Sequence, residues 1–177
     1  MNHQPPFIIV ALALMIAFTA CSSEPKNFEE EVRHIYQNER GFFYLKIPPA
    51  ILSLALKMAD DQEMTDFFGD AKQVGIISFG EGFPVSRNPE IINTLEEILA
   101  RHDYEELIRI SDQDRLISMK IKENSGKATE LVTIISETAG TVMAVTLSGE
   151  INTQAVVKMA ADFDYDLLMQ MHGMRSR

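Results

Sequence analysis

Between Tyr104 and Ile151 the chain reads as four strands in immediate succession, and this run limits the possible folds more than any other stretch. The segments are YEELIRIS, RLISMKIK, ATELVTIIS and TVMAVTLS. They are separated by Ser111-Asp112-Gln113-Asp114, Asn124-Ser125-Gly126-Lys127 and Thr138-Ala139-Gly140, polar or glycine-bearing stretches that suit turns. In the second segment Ile117, Met119 and Ile121 alternate with Ser118, Lys120 and Lys122, which predicts one buried face and one wetter face. The third and fourth carry apolar residues on both parities, at Leu131, Val132, Ile134 and Ile135 and at Val142, Met143, Val145 and Leu147. Strands of that kind belong inside a sheet. The stretch therefore predicts an antiparallel four-strand meander.

The residues before it supply helices and two more strands. Phe28, Val32, Ile35 and Tyr36 recur at helical spacing behind Asn27, a candidate N-cap, and Glu29, Glu30 and Glu31 fill the first turn, where carboxylates suit the helix dipole. Gly41 to Ile47 alternates as a strand, and Pro48-Pro49 stops it and pre-sets a helix start. Ile51, Leu54, Ala55 and Met58 then line one helical face, with Ser53 and Lys57 opposite. Met64, Phe67, Phe68 and Ala71 predict a second short helix, and Val74 to Phe79 the next strand. Asn88 is placed to cap a further helix, with Pro89 at its first position and Ile91, Ile92, Leu95, Ile98 and Leu99 on its core face. After the meander a helix around 153–161 is expected to bury Val156, Val157 and Ala160. The expected fold class is α+β: a mixed, mainly antiparallel six-stranded sheet ending in the meander, helices packed mainly on one face.

Residues Phe7 to Ala20 form an apolar run shorter than the ~20 residues a spanning helix needs, and its length suits the core of a secretory signal. It ends Phe18-Thr19-Ala20-Cys21, which resembles a bacterial lipobox, although Phe18 stands where leucine is usual and residues 1–4 carry no Lys or Arg. Cys21 is the sole cysteine, so no intramolecular disulfide can form. The expected organisation is a lipoprotein signal peptide over 1–20, a lipidated tether over 21–27, one α+β domain over 28–161 and a tail over 162–177. Two or more acyl chains on Cys21 would hold the protein stably to a bilayer.

The formal net charge is −10, and none of it lies in residues 1–20. An acidic surface argues against nucleic acid, whose phosphates require a basic face. It argues equally against adhesion of the folded domain to anionic lipid. Gly80-Glu81-Gly82-Phe83-Pro84-Val85 departs from a dinucleotide fingerprint, since Val85 replaces the last glycine and Pro84 lacks a backbone donor. His34, His102 and His172 stand apart in the sequence, without a nucleophile motif or zinc-ligand spacing beside them. No catalytic residue and no cofactor is assigned, and the chain is not read as an enzyme. The tail offers one alternative: Met169, Met171, His172 and Met174 are soft ligands of a kind that select Cu(I). The competing reading finishes a helix with Leu167, Leu168, Met169 and Met171 against the core.

Tyr104-Glu105-Glu106-Leu107 at the start of the meander, Glu130-Leu131-Val132 in its third strand and Gly149-Glu150-Ile151 after its last are similar to the pattern of the domain-of-unknown-function 4252 family of bacterial lipoproteins. Gly41 and the strand–helix pair after it fit as well, and the similarity spans about residues 28–161. These are packing and turn motifs, so the resemblance implies a fold and brings no catalytic residues with it. It implies a lipid-anchored protein of the cell envelope, and Ser22, which is not Asp, points to the outer membrane, with the domain expected to face the periplasm. The partners expected are the bilayer, through acylated Cys21, and an envelope protein bound by a non-catalytic or regulatory module.

Overall fold

Asn27 opens the first helix as its sequence position predicts. Its side-chain oxygen accepts the Glu30 N–H at 2.9 Å, and helix α1 runs Phe28–Tyr36. The computed structural model describes residues 25–162, apart from 60–64, 66–67, 69, 81, 113–114 and 138–139. Strand β1 (Phe42–Ile47) leads through Pro48 into α2 (Pro49–Ala59). Strand β2 (Ala71–Phe79) is followed by a single 3-10 turn at Val85–Arg87 and by α3 (Asn88–Arg101). Then come β3 (Glu105–Ser111), β4 (Arg115–Asn124), β5 (Lys127–Glu137), β6 (Val142–Gly149) and α4 (Thr153–Asp162).

The six strands form one sheet in the order β1-β2-β6-β5-β4-β3, and the last four are the expected meander. Every neighbouring pair is antiparallel, so the mixed element of the expectation resolves to a fully antiparallel sheet among the described strands. The reason is topological. Strands β2 and β3 run in the same direction, but α3 carries the chain past β6, β5 and β4 to the far edge, so the two never meet. The doubly apolar strands β5 and β6 lie inside, as their composition requires.

One face of the sheet receives α1 and α3. Phe28, Val32 and Tyr36 from α1 and Ile91, Leu95, Ile98 and Leu99 from α3 are buried against Ile77, Phe79, Val132, Ile134 and Val142. Each such aliphatic side chain contributes about 1.5–3 kcal/mol on full burial. Phe83 from the glycine-bearing loop stacks edge-on to Phe79 at 5.2 Å and joins Tyr36, so that loop packs the core. The opposite face buries Val74, Ile117, Met119, Leu131, Ile135 and Leu147, with Leu52 of α2 and Val156 of α4 laid on it. The one-face expectation thus holds for the two helices that bury most, while α2 and α4 sit lightly on the other side.

Several local expectations are corrected. Asn88 does not cap α3; its backbone is already helical and its buried side chain donates to the carbonyls of Gly140, at 2.9 Å, and Glu137, at 3.5 Å. Ala71 does not end a helix but opens β2, and the remainder of that predicted short helix falls mostly outside the described residues. Ser118, assigned to a wetter face, is 0% exposed because α3 covers that face. Ile35 and Val157 stand exposed instead of buried. Most consequential is α2. Its predicted inner face, Ile51, Leu54, Ala55 and Met58, points outward, and Leu52 and Leu56 are the half-buried positions. Ser53 and Lys57 are the only polar residues of this helix, and apolar residues fill the rest of its circumference, so the periodic signal fixes its rotation poorly.

Candidate functional site

Two features of the surface compete for a functional role: a polar cleft on the α1 side and an apolar band on the other. The cleft, of about 290 Å³, lies where α1 begins, above β1, β2, β6 and β5. Its centre is Glu29. The Tyr44 hydroxyl donates to Glu29 Oε2 at 2.6 Å, and Gln73 Nε2 lies 3.1 and 3.3 Å from the two carboxylate oxygens. The Thr146 hydroxyl donates to the same group. Gly75 in β2 makes this possible, because a Cβ there would overlap both the Glu29 carboxylate and the Thr146 hydroxyl. At the far end Tyr104 donates to Glu130 Oε2 at 2.5 Å, under the Lys122 ammonium, 5.7 Å from the ring centroid.

These groups hold structure. Burial pushes both tyrosine hydroxyls well above their ordinary range, and the carboxylate that each one bonds adds to the rise. Tyr44 and Tyr104 are thereby fixed as donors near neutrality and do not serve as bases. Glu29 already takes protein donors from three strands, so the cleft latches α1 to the sheet. Arg33 stacks 4.9 Å above the Tyr44 ring and closes that side. The sequence placed Glu29 in a solvated helix start. The signal it carried was Gly75 set between Val74 and Ile76 inside a strand, a residue often marking close approach of another group.

The apolar band is different, because it sets large hydrophobic side chains on the surface. Phe43 and Leu45 of β1 and Ile51, Leu54 and Met58 of α2 stand exposed, Met58 at 79% and Ile51 and Leu54 at 56% each. Phe43 and Leu45 lie on the same parity as Ile47, which packs into the core of the α2 side. They therefore share a face of the sheet with α2. From Gly41 to Ala59 the only charged residues are Lys46 and Lys57, so the acidic character of the chain is missing here. Large exposed apolar patches are, in general, common places of contact with other molecules.

His102 Nε2 lies 2.8 Å from Glu31, which also takes Arg101 at 2.6 Å, so this histidine serves an ion pair that ties α3 to α1. Among the described residues no cluster of three or more His, Cys, Asp or Glu gathers around a possible metal position. Cys21, Met169, Met171, His172 and Met174 lie outside the described residues. Among the described residues no helix is long and apolar enough to cross a membrane.

The sequence profile described as "Domain of unknown function (DUF4252)" matches residues 36–159, which contain the whole apolar band and all six strands. No curated protein and no solved structure gives a significant match.

Proposed function

We propose that this chain, which belongs to the DUF4252 family, is a lipid-anchored, non-catalytic module of the bacterial cell envelope that works through protein contact at the apolar band of β1 and α2. The observation that carries this reading is the outward face of α2. Exposing Ile51, Leu54 and Met58 together has no structural purpose in an isolated domain, and each forgoes a large part of the about 1.5–3 kcal/mol that full burial returns. The anchor is assigned to Cys21 on the lipobox-like residues 18–21. Acyl chains there, with the short tether after them, would hold the domain at the outer membrane facing the periplasm, and the acidic surface would keep it off anionic headgroups.

The test is photo-crosslinking in intact cells, with a photoreactive amino acid placed at Leu54 or Met58. A control goes at Glu97, exposed on α3 at the opposite side of the sheet. A discrete protein adduct from positions 54 and 58, and none from 97, is the expected result. Adducts of equal strength from all three, or none from 54 and 58, would overturn the assignment of the working surface.

A further inference from the structure

We infer that the protein held at the apolar band is a second copy of this chain, joined edge to edge through β1. The inference rests on the band being the working surface, and adds who occupies it. Strand β1 ends the sheet order, so one side of its backbone has no neighbouring strand among the described residues. Which groups face outward follows from the turn before it. Gly80 N–H donates to the Gly41 carbonyl at 3.0 Å, and Gly41 stands opposite Gly80 in the register that pairs Phe42 with Phe79. In an antiparallel ladder bonded pairs alternate, so residues 41, 43, 45 and 47 bond to β2. The N–H and C=O of Tyr44 and Lys46 then point away from the sheet. Phe42 agrees with this phase, since its N–H turns back to the Glu39 carbonyl at 3.3 Å.

A free edge of this kind accepts a strand, and β1 fits itself. With a two-fold axis through Tyr44, the two Tyr44 residues exchange N–H···O=C bonds. Phe43 of each copy then stands directly across from Leu45 of the other, in the close, non-bonded pairing where cross-strand side chains interact most. Both lie on the face that carries α2, so Ile51, Leu54 and Met58 of the two copies flank the same seam. Each Lys46 falls opposite Phe42 of the other copy, which sets the two ammonium groups about 14 Å apart along the strands. That exceeds the screening length of ~8 Å at physiological salt. The stretch from Gly41 to Ala59 holds no acidic residue, so the seam avoids the repulsion that a chain of net charge −10 would feel elsewhere.

Area supports the same occupant. The exposed parts of the five side chains amount to several hundred Å² on each copy, and burying both with the paired backbone reaches the ~1,200 Å² at which specific interfaces begin. An isologous contact also closes on itself, leaving no edge of β1 to recruit a third chain.

The experiment uses the full chain purified from membranes in detergent. Sedimentation is expected to give a dimer, and Lys46→Pro and Leu45→Glu are each expected to weaken it at least tenfold. Proline at 46 removes only an outward N–H, so the β1–β2 ladder stays, and circular dichroism and melting of each variant check the fold. The register is read by cysteine pairing. Phe43→Cys mixed with Leu45→Cys should form a disulfide between copies, mapped by peptide mass, while either variant alone should not. A monomer under these conditions, a dimer indifferent to both substitutions, or a disulfide in another register would overturn the inference. In the cellular crosslinking, an adduct of twice the chain mass from position 54 supports it. An adduct with a different protein sinks the second-copy inference and leaves the working surface standing, whereas no adduct at all sinks both.

Discussion

The Glu29 carboxylate rests over Gly75, in space that any Cβ at position 75 would occupy. A helix residue and a strand glycine 46 positions later are thus one fitted pair, and the Tyr44, Gln73 and Thr146 donors close around the carboxylate. The pair fixes where α1 meets the sheet and so positions the start of the domain.

Gly75→Ala is expected to destabilise the fold by about 1–3 kcal/mol, the range for overpacking a filled site. The neighbours include the Glu29 side chain, so Glu29→Ala should relieve part of that cost. A double-mutant cycle in denaturant reads the coupling, and strict additivity of the two changes would show that the carboxylate does not fill that space.

Asn88 gives a second prediction, because a cap and a buried donor respond differently to the same substitution. Asp substitutes freely at an N-cap. Here the Asn88 amide donates to the Gly140 and Glu137 carbonyls, and a carboxylate facing two carbonyls has nothing to donate. Asn88→Asp is expected to cost more than Asn88→Ala, which itself costs about 1–3 kcal/mol by leaving buried carbonyls unpaired. Thermal unfolding of the two variants at neutral pH ranks them; equal stability of Asn88→Asp and wild type would restore the capping role.

Acid should expose the tie between α1 and α3. Burial pushes the Glu31 carboxyl up, but hydrogen bonds and charge from Arg101 and His102 outweigh it and hold the group below its ordinary 4.5. A carboxyl lowered in the folded state contributes stability above its unfolded value and loses it as pH falls through the folded one. The contribution is therefore present above about pH 4.5 and fades below it. Glu31→Gln should lower stability at pH 7 and show a shallower loss below that point. Parallel unfolding curves for wild type and variant from pH 7 down to 3 would contradict it.

Replacing Cys21 with Ala should abolish incorporation of a fatty-acid analogue in growing cells, while the wild type incorporates it. The mass of the N-terminal peptide locates the acyl chains. A wild-type protein beginning at another residue, with a free thiol at Cys21, would remove the anchor from the proposed function without touching the apolar band.

The sequence alone determined the meander, because each of its signals is local. Alternation set the faces of β4 at Ile117, Met119 and Ile121, apolar residues on both parities placed β5 and β6 inside, and Ser125 and Gly126, with φ of 54° and 77°, close the β4–β5 hairpin as their turn chemistry predicts. The Asn27 cap and the core stripe of α3 were legible for the same reason: a period of 3.6 residues and a short side chain before it specify a direction. Tertiary structure decided the rest. Strands β1 and β2 join the sheet beside β6, a pairing with no mark in their own residues. Asn88 found acceptors 49 and 52 residues away, and Glu29 found donors up to 117 residues away, distances over which a sequence pattern carries no phase. Helix α2 is the sharpest case. Only Ser53 and Lys57 interrupt its apolar circumference, too little to fix its rotation, so packing against β2 and Ile47 chose Leu52 and Leu56 to face inward, and that choice is what leaves Ile51, Leu54 and Met58 on the surface.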